Sequence, residues 1–125
     1  MERNIMKIFD IGGNRGLFTD KCLETYPDDV EVILIEANPH LCNVLFDKYR
    51  HVPNVIVLNN LVSENGGESI DFHISNADTI STASKDWIEN SRFTKDFVWY
   101  PPIKIQSVSV DDLSEQYGQP DLIKI

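Results

Sequence analysis

The chain has 125 residues, which is enough for one globular domain and too few for two. Hydrophobic residues make up 42% of it and no apolar run is long enough to span a bilayer, which excludes a disordered segment and a membrane-spanning helix. The formal net charge is −9 with Lys and Arg scattered singly, so nucleic acid is a disfavoured partner and small molecules or glycans fit better.

The N-terminus, Met1-Glu2-Arg3-Asn4, reaches the first apolar stretch without the long hydrophobic region of a signal peptide, so a cytoplasmic protein with no membrane partner is expected. Residues 5–11 form a nearly continuous apolar run, the pattern of a parallel strand covered on both faces. The run ends in Gly12-Gly13-Asn14-Arg15-Gly16, a turn. Helical periodicity follows to about residue 26, with Leu17, Phe18, Cys22 and Leu23 as the expected buried stripe. Residues 30–35 give a second strand, closed by Glu36-Ala37-Asn38. Pro39 then opens a helix behind Asn38 as N-cap, with Leu41, Val44, Leu45 and Lys48 at helical spacing. Residues 54–58 are the third strand.

Plain alternation of strand and helix stops there. Glu64-Asn65-Gly66-Gly67-Glu68 is a turn, and residues 69–74 alternate as a half-buried strand that is expected to pair antiparallel. Residues 76–84 are polar and loop-like, and residues 85–90 suggest a short helix around Trp87 and Ile88. Phe97-Val98-Trp99-Tyr100 is an aromatic loop stopped by Pro101 and Pro102. Trp99 and Tyr100 suit either loop packing or the apolar face of a sugar ring. Residues 103–110 alternate again, with Ile103, Ile105, Ser107 and Ser109 on one face. Residues 111–117 form a short helix ended by Gly118, and residues 121–125 begin a last parallel strand, where the sequence stops. The strand-helix alternation predicts an α/β fold: a Rossmann-like sheet of order 3-2-1-4 with an antiparallel extension.

Cys22 and Cys42 lack metal or redox spacing and read as small buried hydrophobes, and His40, His51 and His73 are isolated from one another; no metal is expected. Chemistry concentrates instead in the first strand-to-helix turn. Asp10 lies near the strand's end, and three glycines follow within five positions. Glycines let a ligand approach the main chain, and the next helix presents free N–H groups, a combination that suits a carboxylate or phosphate. The dinucleotide spacing G-x-G-x-x-G fails, because Asn14 and Leu17 stand where glycines are needed. Glu36, at the tip of the second strand, is placed as an acid that accepts both ribose hydroxyls in nucleotide-binding α/β folds.

The Asp-x-Gly-x-Asn-x-Gly register resembles motif I of class I methyltransferases. Phe-Asp-Ile-Gly-Gly-Asn-Arg-Gly-Leu-Phe-Thr, then Ile-Glu-Ala-Asn-Pro, then Asn-Val-Ile-Val-Leu-Asn-Asn-Leu-Val-Ser, then Val-Asp-Asp-Leu and Pro-Asp-Leu-Ile-Lys-Ile run in order along almost the whole chain. Together they resemble the FkbM family of methyltransferases. The resemblance implies a partial class I methyltransferase fold and S-adenosylmethionine-dependent methylation of a hydroxyl on a sugar or small natural product. It implies cofactor contacts from Asp10, Gly12, Gly13, Asn14 and Gly16, from Glu36 and Ala37, and from Asn60, Leu61 and Val62 beside the adenine. Gly13 and Leu61 stand where the family more often has Ala, and Ser81-Thr82 resembles a small polar pair of the family's loop. Family members continue Ile-Lys-Ile into an acid and a Val-Glu-Gly-like block. The expectation is therefore a single S-adenosylmethionine-binding domain over residues 1–125, incomplete at its C-terminus, with no catalytic base that can be named and an exposed edge strand that invites self-association. Its rivals are a non-catalytic cofactor-binding or nucleotide-binding module and an NAD-dependent reductase, which the glycine spacing disfavours.

Overall fold

The apolar runs of Met6–Ile11 (β1) and Val30–Ile35 (β2) lie side by side and parallel at the centre of a four-stranded sheet in a computed structural model that describes residues 4–76, 81–90 and 97–125. Val55–Leu58 (β3) adds to β2 and Leu122–Lys124 (β8) adds to β1, both parallel, which gives the order β3-β2-β1-β8. This is the expected 3-2-1-4 arrangement, with the last strand in fourth place. The sheet is apolar on both faces because helices cover both. Leu17–Thr25 (α1) and Pro39–Lys48 (α2) bury Ile8, Val32 and Leu34 on one face with Cys22, Leu45 and Tyr49. Val110–Tyr117 (α4) closes the other face, where Leu113 packs on Phe9, Ile33 and Ile35.

A second, mixed sheet stands beyond the carboxyl end of the first. Leu61–Val62 (β4) pairs parallel with Ile103–Val108 (β7), which pairs antiparallel with Ser69–Ile74 (β5); β5 carries Ser81–Thr82 (β6) on its other edge. The antiparallel extension is therefore present, but β4 makes the sheet mixed. Strands of two residues have no readable alternation, and the sequence signals neither β4 nor β6. Phe72, Ile74 and Ile105 from this sheet bury against Ala37 at the end of β2, so the two sheets share an apolar seam. Lys85–Asn90 (α3) follows β6, and its Trp87 meets Trp99 edge to face, with ring centroids 6.1 Å apart.

Several local expectations shift. Leu17 is not part of the buried stripe of α1: it is 77% exposed, and Thr19 is buried beside Cys22 instead. The cause is Gly16, whose left-handed backbone (φ 83°) aims the first turn so that Thr19 reaches Asp10. In α2, Val44 is exposed and Cys42 takes its place against the sheet, while Asn38 caps the helix as expected by accepting from His40 N–H. β7 ends at Val108, not at residue 110, because Ser109 and Asp112 form a reciprocal capping box that starts α4 one residue early. Both cysteines are buried and unpaired as expected. Residues 1–3 of the N-terminus and residues 77–80 of the polar loop lie outside the described residues. Among the described residues no helix is long and apolar enough to cross a membrane.

Candidate functional site

The glycine bend is fastened to the end of β2 by main-chain bonds. Gly12 and Gly13 both donate to the Ile35 carbonyl, at 2.8 and 3.1 Å. Gly12 (φ 71°) and Gly16 (φ 83°) adopt left-handed backbone, as does Asn14 (φ 57°), a residue type that tolerates that region. These contacts bring the bend against Glu36, whose backbone N–H continues the ladder onto Leu58.

Glu36 is 7% exposed, and its carboxylate bridges two amides. Oε1 accepts from Asn14 N–H at 2.9 Å and Oε2 accepts from Asn38 N–H at 2.8 Å. One acid thereby joins the bend after β1 to the N-terminus of α2. Its charge is felt nearby: burial, and then the Glu36 carboxylate, push the Cys42 thiol up to about 11. Asn59, which the sequence reading passes over, braces the same segment by donating to the carbonyls of Glu36 and Ala37 at 2.9 and 3.0 Å. It sits one position before the expected adenine segment, and only its reach across to β2 reveals its part.

A cavity of about 250 Å³ opens here. Gly12, Asn14, Glu36, Ala37, Asn60, Leu61 and Val62 all line it, so residues expected from three separate stretches of sequence meet in one cleft. Ile11, Ile35, Phe72 and Ser81 complete the wall. Ser81 belongs to the polar pair noted in the sequence. Phe72 enters from the second sheet, and its alternating strand shows which residues are apolar but not what they face. Asn60 is held by a bond from its amide to the Gln106 carbonyl at 3.1 Å. Asn14 Oδ1 is buried and, among the described residues, has no hydrogen-bond partner.

Asp10, Gly13 and Gly16 do not line this cavity. Gly13 faces a neighbouring cavity of about 320 Å³, which is also lined by Asn14, Arg15, Phe18 and Lys124. Asp10 is fully buried beneath the bend; it accepts from the Thr19 hydroxyl at 2.8 Å and meets Lys124 Nζ at 3.1 Å. Its place is under the turn, holding it, without exposure to water. Gly16 lies against Tyr49, whose hydroxyl donates to Asp20 and also contacts the Gly16 carbonyl. Burial alone would raise the Asp20 carboxyl, but hydrogen bonds from Lys48 and Tyr49 outweigh it and hold Asp20 below its ordinary value. The Tyr49 hydroxyl is pushed up by burial and by the same carboxylate. A Cβ at position 16 would overlap the Tyr49 hydroxyl on a backbone that L-residues avoid. Gly16→Ala is thus expected to destabilise the fold by about 1–2 kcal/mol from the backbone alone, read as a lower midpoint in urea unfolding.

Of the aromatic loop, Trp99 is engaged with Trp87, while Tyr100 is 53% exposed. Tyr100 lines a separate cavity of about 390 Å³ with His40 and Ile74. Among the described residues there is no group of three or more His, Cys, Asp or Glu that could hold a metal ion. No protein-family model matches the chain, and no curated protein matches it significantly.

Proposed function

We propose that this chain is the cofactor-holding part of an S-adenosylmethionine-dependent O-methyltransferase of the FkbM family, acting on a hydroxyl of a sugar or small natural product. The observation that carries this reading is the bridge from Glu36 to the glycine bend at the mouth of a cleft that Asn60, Leu61 and Val62 also line. A carboxylate has about four lone-pair sites. The two amides leave room on Glu36 for both hydroxyls of a ribose, so a nucleoside can bind without breaking either contact. The cavity of about 250 Å³ suits a nucleoside, and Asn14 also borders the 320 Å³ cavity beyond it. A ligand longer than a nucleoside would lie over the bend from one into the other.

On this reading Glu36 clasps the ribose, Ala37 and Asn60 to Val62 flank the base, and the main chain of Gly12 to Asn14 runs under the amino-acid tail. Asp10, Gly13 and Gly16 shape that bend from below. When bound, S-adenosylmethionine supplies a methyl group activated by its sulfonium, and the part of this chain is to orient it. The acceptor is a small molecule or glycan, in keeping with the acidic charge, and the setting is the cytoplasm.

A second reading, a non-catalytic nucleotide-binding module, is favoured by one observation: Glu36 is the sole ionisable side chain among the described residues lining the cleft, and both its oxygens are engaged. Calorimetric titration of the chain with S-adenosylhomocysteine and with NAD tests the proposal. Micromolar binding of the first and none of the second is expected; NAD binding alone would end the methyltransferase reading. Methylation of a deoxysugar acceptor in the presence of S-adenosylmethionine would reject the module.

A further inference from the structure

The last strand touches the glycine bend through one side chain. β8 is seated on β1 at its far end by Asp121, whose N–H donates to the Lys7 carbonyl at 2.7 Å and whose carboxylate accepts from Lys7 N–H at 2.8 Å. From that anchor the parallel register sets Lys124 opposite Asp10. The Lys124 ammonium lies 3.1 Å from Asp10 Oδ1 and donates to the Gly12 carbonyl at 3.3 Å, with its charge 5.8 Å from the centre of the Phe18 ring. Asp10 has no exposure to water, and Oδ1 takes no aligned hydrogen bond, so Lys124 meets it as a countercharge. A buried carboxylate without such a partner is costly, and an ammonium carries three donors that can serve several acceptors at once. The Gly12 and Gly13 N–H groups are held by Ile35, the Asn14 N–H by Glu36, and the Arg15 and Gly16 carbonyls by Lys48 and Tyr49 of α2 and its C-cap, whereas the Gly12 carbonyl is met by Lys124.

We propose that Lys124 is a positioning residue of the nucleoside cleft: its ammonium grips the Gly12 carbonyl and the Asp10 carboxylate together, and so fixes the bend on which the ligand lies. Only the binding part of this inference rests on the function proposed above. The residue 112 positions away from Gly12 in sequence acts through the bend, and no contact of its own with the nucleoside is required.

The test uses the full chain with Lys124→Met, Lys124→Arg and the double variant Asp10→Asn/Lys124→Met, which removes both charges and spares the fold an uncompensated carboxylate. Amide hydrogen exchange at Gly12, Gly13 and Asn14 is measured beside titrations with adenosine and with S-adenosylhomocysteine. Lys124→Met and the double variant should both speed exchange at these three amides while the β2 amides stay protected. Both should weaken adenosine and S-adenosylhomocysteine by the same factor, about tenfold or more, the size of one charge-assisted hydrogen bond. Lys124→Arg should recover most of the loss. Weakening confined to S-adenosylhomocysteine would mean that Lys124 meets the ligand's tail directly, and it overturns the positioning role. A double variant that binds adenosine like the wild type also overturns it. Should the wild type bind neither compound, the proposed function fails by itself, and unchanged exchange at Gly12 to Asn14 would still sink the role of Lys124.

Discussion

Glu36→Ala is expected to weaken S-adenosylhomocysteine binding by about 1–3 kcal/mol, the usual consequence of deleting a hydrogen bond made by a charged group. Two losses combine in that figure. The ribose hydroxyls lose their acceptor, and the N–H groups of Asn14 and Asn38 lose theirs, so the bend and the start of α2 are no longer joined. Glu36→Gln separates them. One side-chain oxygen remains to accept from a single amide, so half the bridge survives while the charge is gone. Calorimetry on both variants, with thermal unfolding in parallel, should rank affinity as wild type, then Gln, then Ala. Unchanged affinity in the Ala variant would show that the pentose lies elsewhere.

The largest effect on stability should come from the contact beneath Gly13. Leu34 is fully buried in the face covered by α1 and α2, and its side chain fills the space where a Cβ at position 13 would go. Leu34→Ala removes a packed side chain from a core that relaxes only in part, at a cost of about 2–5 kcal/mol. Gly13→Ala forces Leu34 off its packing and costs about 1–3 kcal/mol. Because the two changes act on one volume, the double variant should be more stable than the sum of the single losses predicts. A double-mutant cycle in urea measures that coupling, and additivity within about 0.5 kcal/mol would show that Leu34 does not limit the turn. This bears on position 13, where the resemblance would more often place alanine. In this chain an alanine there fits only if the leucine beneath gives way.

Much of the parallel sheet was legible because its signals are local. Residues 30–35 are apolar throughout, Asn38-Pro39 marks a helix start, and the bend after β1 concentrates glycine where the chain must turn left-handed. The cleft was partly legible for the same reason: Gly12, Asn14, Glu36 and the segment from Asn60 to Val62 follow the carboxyl ends of three strands of one parallel sheet, and such ends lie together. What escaped were relations between distant segments. Nothing near Asp10 in sequence tells that Thr19 and Lys124 enclose it, and nothing near Asn59 tells that it reaches back to β2. Leu17 and Val44 satisfy a helical stripe as well as Thr19 and Cys42 do, and only the roll of each helix on the sheet selects between them.

By itself, then, the amino-acid sequence determined which stretches become strands and helices of the parallel layer, and that a glycine bend and an acid stand at adjacent strand ends, because backbone preference and apolar periodicity act over a few residues. The tertiary structure alone decided which of those residues face the cleft and which support it from below. Burial, countercharge and the short pairing of β4 and β6 depend on what arrives from elsewhere in the chain, and Lys124 reaches Asp10 only once β8 has docked.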